Sequence, residues 1–499
     1  MFGIFKRKKE PGGVKRGHFM RMFAAAECSR MLNPWIWDGG FSNQEIAAQL
    51  AIVRQRSRDM QKNSEHYLRW LDLFVANVIG DGVKFKATPS RSDDDPTIDA
   101  AAAKFLQYHW WKWGTTPGMA DTTGRKTFNA ICRVAAENWA RDGEALLLID
   151  RAAPNPYGFS LRIVRPDALD ETMNGRGQTD STVIRNGVEV DRVSLRAVAY
   201  YLRTSREDPG ASYVLNRPVV RVPAADVLHL YTQHDETQTR GVPLGHAVLK
   251  KLKMLDEYNF AELVAARDES NTTGVFTAPA GREGEIAEYE DDEKAALTMP
   301  SEPGTKIMLG TGWDYKTVTP THPNRELTAF KNSMLREIAS GLGLEYACFA
   351  NDWAGVSFSS VRAGTIAERD HWRILQSQFI EQVASPVFRA WLASFLKYRA
   401  SSPYIVADYE RLAEHEFRGR TWEWVDPMKD VNAAALAVAH GWKTDAQIAA
   451  DYGTDIDENI AEAARIKPLK DAAGLLTATL KVETSKSGKE TEDGQEEEN

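Results

Sequence analysis

The sequence predicts a mixed α+β protein. Three observations carry that prediction. Apolar residues recur every three or four positions over long stretches on both sides of the chain's middle. Between them, residues 144–231 break into short β-type runs separated by Gly, Pro and Asn. Hydrophobic residues make up 43% and charged residues 26%, so a sizeable core can form in a chain of 499 residues, roughly two to four domain-sized units.

A first helical region is expected over 44–79. Ile46, Leu50 and Val53 share one face, and Tyr67, Leu71, Phe74, Val75 and Val78 continue it until Gly80-Asp81-Gly82 stops the pattern. Helices over 96–113 and 125–141 follow. Strands are expected at 145–149, 161–164, 188–193, 197–203, 219–222 and 227–231. Helix returns at 244–267, on Leu244, Val248, Leu252, Leu255 and Leu263, and again around Leu327, Phe330, Met334, Ile338 and Leu342. The clearest helix is 363–398: Trp372, Leu375, Phe379, Val383, Val387, Trp391 and Phe395 form one unbroken stripe. Pro386 lies inside it and should kink it, because proline has no N–H to donate and its ring clashes with the preceding turn. Short helices should fill 428–466, where Thr444-Asp445-Ala446-Gln447 has the form of a capping box and Gly453 suits a helix end.

Several classes of chemistry have no support. There is no GxxxxGK[ST] loop for a nucleotide-driven motor and no HExxH. Gly355-Val356-Ser357-Phe358-Ser359 matches a nucleophile elbow only in its first Gly and its Ser. The acidic runs 93–95 and 290–293 read as solvated loops, since consecutive carboxylates cannot all converge on one ion. Cys28, Cys132 and Cys348 are far apart, which argues against a disulfide framework or zinc site and fits a reducing compartment. No cofactor or metal is expected. The opening apolar run is very short and precedes its charges, the reverse of a signal peptide, and no run has the length of a membrane span. Net charge is −8, unlike a general nucleic-acid binder, though compatible with a surface along which DNA slides. The Trp110-Trp111-Lys112-Trp113 segment reads as packing under a helix end or at a subunit contact, because a base-stacking groove would carry more cations. Both ends are polar, basic at the start and acidic at the finish, and are expected to be disordered.

Four groups of segments, in order, resemble the lambda-type phage portal family. The first is Arg54-Gln55-Arg56-Ser57-Arg58-Asp59, with Asn63, then Asn77-Val78-Ile79-Gly80-Asp81-Gly82; the upstream Trp35 and Trp37 also fit. The second is Asp226–Tyr231 followed by Arg240-Gly241-Val242-Pro243. The third is Ile338–Leu344, Asn351-Asp352-Trp353 and Phe358-Ser359-Ser360-Val361-Arg362, where the family typically has Tyr in place of Phe358. The fourth is Trp422–Pro427, Gly441-Trp442-Lys443-Thr444 and Tyr452–Asp455.

The resemblance implies a portal fold: a dodecameric ring around a DNA-wide channel at one capsid vertex, in contact with the terminase large subunit, the major capsid protein and the head–tail connector. It implies assembly in the host cytoplasm, no membrane and no enzymatic activity. The rival readings are a virion protease or nuclease and a head adaptor without a channel. Mapped onto this chain, it implies a basic N-terminus (1–34), a wing (35–243), two stem helices (244–270 and 325–344) flanking a clip (271–324), and a channel loop (345–362). A long helix with its following segment (363–424), a crown (425–466) and an acidic tail (467–499) complete it. The channel loop would present Asn351, Asp352, Gly355, Ser357, Ser359 and Ser360 to DNA. Arg54, Arg56, Arg58 and Arg362 would make ion pairs between subunits.

Overall fold

The computed structural model describes residues 43–92, 95–203, 219–271, 275–277, 314–316, 326–398, 402–422 and 427–473. The basic start, the acidic end, Trp35, Trp37, Cys28, both acidic runs in large part and most of the expected clip lie outside these residues.

The expected first helix is two helices, α1 (Asn43–Asn63) and α2 (Glu65–Val78). Ser64 between them takes an extended conformation. Apolar spacing alone does not show this break, since both helices turn the same kind of face inward. Tyr67, Trp70, Leu71, Phe74 and Val78 of α2 are buried. Three short strands follow, β1 (Lys84–Ala87), β2 (Ser90–Ser92) and β3 (Asp95–Ile98). Then come α3 (Ala100–Thr115), α4 (Pro117–Ala120) and α5 (Phe128–Asp142). Residues 96–98, expected in the helix, pair as strand instead; α3 starts only after Asp99, whose carboxylate accepts from the N–H groups of Ala101 and Ala102. In α3, Trp110 and Trp113 are buried three residues apart while Trp111 is 63% exposed.

The β-rich region holds β4 (Glu144–Asp150), β5 (Ser160–Val164), β6 (Gly175–Arg176), β7 (Thr182–Arg185), β8 (Val188–Asp191), β9 (Ala197–Arg203), β10 (Val219–Pro223) and β11 (Val227–Tyr231). They form two antiparallel sheets, β11-β4-β5 and the meander β10-β9-β8-β7-β6. The β7–β8 hairpin closes on Asn186-Gly187, both at positive φ, the backbone a two-residue turn of matching twist requires.

Beyond it lie α6 (Leu249–Asn271), the pair β12 (Val275–Thr277) and β13 (Asp314–Lys316), α7 (Leu327–Leu342) and α8 (Tyr346–Ala350). The long helix is α9 (Phe358–Phe379), a π turn (Ile380–Ala384) and α10 (Ser385–Tyr398). All seven stripe residues from Trp372 to Phe395 are buried. The π turn is the answer to Pro386: where the following residue cannot donate, bonding shifts by one position and the Ser385 N–H reaches the Ile380 carbonyl. The chain ends in α11 (Tyr409–Leu412), β14 (His415–Arg418), α12 (Pro427–Ala439), α13 (Asp445–Asp451) and α14 (Ile456–Ala472). The capping box forms as expected: Thr444 Oγ1 accepts from the Gln447 N–H at 3.2 Å and Gln447 Oε1 from the Thr444 N–H at 2.9 Å. β14 pairs with β1, Lys84 opposite Arg418, so the late chain returns to the early one.

One large core joins the helices to the β11-β4-β5 sheet, and a second, smaller one of Leu146, Leu169, Val188, Val190, Tyr200, Leu202 and Val227 serves the meander. Phe74 of α2 packs edge-on against Trp139 of α5 at 5.5 Å and Trp372 of α9 at 5.8 Å. Below it, Glu144 is fully buried at the start of β4. Its carboxylate accepts from Arg54 Nη2 at 2.9 Å, Arg240 Nη2 at 2.5 Å, Arg240 Nε at 3.0 Å and the Gly241 N–H at 3.1 Å. His229 Nε2 stands 3.0 Å away. Burial works against ionising this carboxyl, but the charge of Arg240, the His229 hydrogen bond and Arg54 outweigh it and hold it well below its ordinary 4.5.

Three of the four arginines expected between subunits already have carboxylate partners within the chain. Arg54 is 1% exposed within one chain and donates to Glu144, to the Asp142 carbonyl and to Asp167. Within its own chain it is a core residue. Arg58, four residues on and so on the same face of α1, pairs with Asp142 at 2.8 Å and Asp167 at 2.7 Å. Arg362 donates to Asp430 of its own chain at 2.9 Å. Arg56, on the other side of α1, is exposed.

Glu144→Gln leaves buried Arg240 without its carboxylate and Arg54 with only the longer contact to Asp167, and should cost about 3–5 kcal/mol in denaturant unfolding at neutral pH. A carboxyl whose folded pKa is depressed stabilises above its unfolded pKa and loses that contribution as pH falls through the folded value. The gap between wild type and Glu144→Gln should therefore be constant above pH 4.5 and close only well below it. A gap that closes between pH 7 and 5 would contradict the assignment.

Candidate functional site

The expected channel loop is more ordered than a plain connection. α7 ends on Gly343 at φ 71, and the Leu344 N–H reaches back to the Ala339 carbonyl at 2.9 Å. The chain then forms α8, whose Ala347 and Phe349 are buried, with Phe349 5.7 Å from His66 at the start of α2. Asn351 closes α8 in the left-handed region at φ 52. Only the turn from Asp352 to Ser357 is irregular.

That turn is held by its own side chains. Asp352 Oδ2 accepts from the Tyr346 hydroxyl at 2.8 Å, and Oδ1 accepts from the Ala354 N–H at 3.1 Å. Those two bonds hold the Asp352 carboxyl below the usual carboxylate range. The Arg336 guanidinium lies 4.8 Å over the Tyr346 ring, so α7 braces the same residue. On the far side, Ser357 caps α9: its Oγ accepts from the Ser360 N–H at 3.2 Å and lies 3.1 Å from Ser359 Oγ and 2.8 Å from Ser360 Oγ.

The structure thus separates the six expected residues into two anchored groups. Asn351 and Asp352 finish α8, Ser357, Ser359 and Ser360 start α9, and Gly355 at φ 71 turns between them with open space around it. No Lys or Arg occurs from 345 to 361. Sequence reading passed over Trp353 as a surface group. It is 51% exposed at the apex, with its Nε1 3.4 Å from Asn351 Oδ1. A large aromatic inside an otherwise small and polar turn was the available signal.

α6 and α7 stand side by side, tied by Lys251 to Glu337 at 2.5 Å and by Tyr258 against Phe330 at 5.1 Å. Val248, Leu252 and Leu255 at the near end of α6 are buried, as are Leu335, Ile338 and Leu342 at the matching end of α7. Met254 on the outer side of that end and, towards the other end, Phe260, Leu263 and Phe330 are 46–70% exposed. Among the described residues no three His, Cys, Asp or Glu side chains are grouped to hold a metal, and no helix is long and apolar enough to cross a membrane.

The family model for phage portal proteins of the lambda family matches residues 29–376. The chain belongs to the lambda family of phage portal proteins. Among portal relatives, the probable portal protein of Halomonas phage phiHAP-1 is 30% identical over 428 residues, covering 84% of this chain and 80% of its own. Portal protein B of Escherichia phage lambda is 24% identical over 403 residues, covering 71% of each chain. Among solved structures, a chain in the neck of an empty GTA particle is 14% identical with a TM-score of 0.40, over 82% of this chain and 93% of that one. A chain in the virion of a native gene transfer agent particle is 12% identical with a TM-score of 0.40, over 81% and 93%. The portal-family match takes in the buried arginines, the α6–α7 pair and the turn at 352–357.

Ser357→Ala should remove the α9 cap and cost about 0.5–2 kcal/mol locally. Hydrogen exchange in the first turn of α9 should accelerate several-fold while α5 stays protected.

Proposed function

We propose that this portal protein assembles as a dodecameric ring at one capsid vertex, and that DNA enters and leaves the particle through its centre. A closed ring needs head-to-tail contacts between unlike faces of identical chains. The outward apolar ends of α6 and α7 supply surface for such contacts. In this reading 35–243 form the wing and α6 and α7 the stem. Residues 271–324 form the clip towards the terminase large subunit and the head–tail connector. The wing side meets the major capsid protein, and 425–466 form the crown. The relatives bear the name portal protein, the portal family is structural, and the protein acts here as a conduit and docking ring rather than as an enzyme. Assembly takes place in the host cytoplasm. Arg56, exposed on α1, remains a candidate for contact with a neighbouring chain.

The observation that carries the channel reading is the composition of the turn at 352–357. It is exposed, fixed at both ends and free of cations. Each phosphate gripped by a Lys or Arg adds a salt-dependent attraction that must be broken for DNA to advance. Asn351, Asp352, Gly355, Ser357, Ser359 and Ser360 offer DNA small polar groups and one carboxylate instead.

Purified protein should form rings with a central hole by electron microscopy; persistent monomers would overturn the ring. Asp352→Lys with Ser357→Lys should leave ring formation intact and slow or block DNA packaging. Wild-type packaging by that variant would remove the turn from the channel wall.

A further inference from the structure

The C-terminal helical segment is attached to the rest of the molecule in an unusual way. From 427 to 473 only Ala449 and Gly453 are buried. Many of its larger apolar side chains face away from the body: Met428, Val431, Leu436, Trp442, Ile460 and Leu469 are 51–77% exposed, while Val438, Ile448, Ile456 and Ile466 are half-buried. Polar contacts make the join: Arg362 of α9 holds Asp430 of α12, and three further cations converge on the turn between α13 and α14. Lys84 Nζ donates to the Gly453 carbonyl at 2.5 Å, Arg418 Nη1 donates to the Thr454 carbonyl at 3.1 Å, and Lys86 pairs with the Asp455 carboxylate.

These three cations share one small sheet. Lys84 and Lys86 alternate along β1, so both leave its outer face while Phe85 between them packs inward on Trp110 and Phe388. Arg418 sits opposite Lys84 on β14. The turn is shaped to receive them. Gly453 at φ 70 comes so close to the body that a Cβ there would lie 2.8 Å from Thr421 Oγ1. Asp455 also caps α14, accepting from the N–H groups of Asp457 and Glu458, so Lys86 grips the group that starts that helix.

We propose that residues 427–473 form a module latched to the body electrostatically, with Lys84, Lys86 and Arg418 closing on the turn 453–455, so that its seating loosens as ionic strength rises. The physical basis is the balance of terms. The Lys86–Asp455 and Arg362–Asp430 ion pairs are part-exposed and screened by salt within a Debye length, and the charge–dipole bonds of Lys84 and Arg418 to the carbonyls are screened more weakly, whereas apolar burial is not weakened by simple salts. A segment with two small buried residues has little burial to fall back on.

The test is hydrogen exchange on the full-length protein between about 0.05 and about 0.5 M sodium chloride, a range over which screening changes strongly. Amides of α13 and α14 should exchange several-fold faster at high salt while α5 and β4 do not change. Lys84→Met with Lys86→Met should show the fast rate already at low salt and no further response. Asp455→Ser, which keeps a capping oxygen and leaves β1 untouched, should do the same, and it decides the matter if the double variant disturbs the β1–β14 pair. Salt-independent protection of α13 and α14, or wild-type exchange in Asp455→Ser, would overturn the latch.

Discussion

Glu144 is one carboxylate facing two buried guanidiniums, and three separate parts of the chain meet on it. Arg54 comes from α1, Glu144 from the start of β4, and Arg240 from the segment leading into α6. None of these charges is tolerable alone in the interior, where an unpaired ion costs several kcal/mol. The backbone reinforces the junction. Gly143 has φ 87, and a Cβ on Gly241 would fall 2.0 Å from the Gly143 carbonyl oxygen. Two chain segments therefore touch main chain to main chain beside the ion cluster. The start of α6 is fixed relative to the sheet by that contact, and with it the pair α6–α7.

A second constraint reaches the turn at 352–357 from the other side. α9 enters the core through Trp372, which meets Phe74, and Phe74 in turn meets Trp139. α8 is pinned by Phe349 against His66 of α2. Both flanks of the turn thus rest on α2. Asp352, Tyr346 and Arg336 then set the turn itself. An exposed loop with so few free torsions presents the same groups in every copy of the chain, which matters for a surface repeated around a ring.

Much of this was legible locally. The seven-residue stripe of the long helix, the capping box at Thr444 and six of the eight strands between 144 and 231 follow from spacing and turn chemistry; β6 and β7 do not. What escaped depends on distant partners. β1 is a strand only because β14, more than 300 residues later, pairs with it, so no short window around it shows a pattern. Ser64 breaks a helix whose periodicity runs straight through it. Arg54 and Arg58 illustrate the same limit at the level of chemistry. Their spacing of four put them on one face of α1, but only the fold brings Asp142, Glu144 and Asp167 under that face. For the turn at 352–357, composition showed the lack of cations, while the Tyr346 and Arg336 bracing needed coordinates.

The distribution of cations ties these features together. Arg54, Arg58, Arg240 and Arg362 all come from the family-like motifs, and each is directed at a carboxylate of its own chain. A guanidinium already paired in this way attracts a passing phosphate less than a free one. The motifs therefore concentrate charge where it organises the protomer and withhold it from the turn, which reaches Arg362 only after α9 has begun. In the proposed channel this arrangement would leave enough charge inside to fix the protomer's geometry and little on the surface past which the polyanion would move.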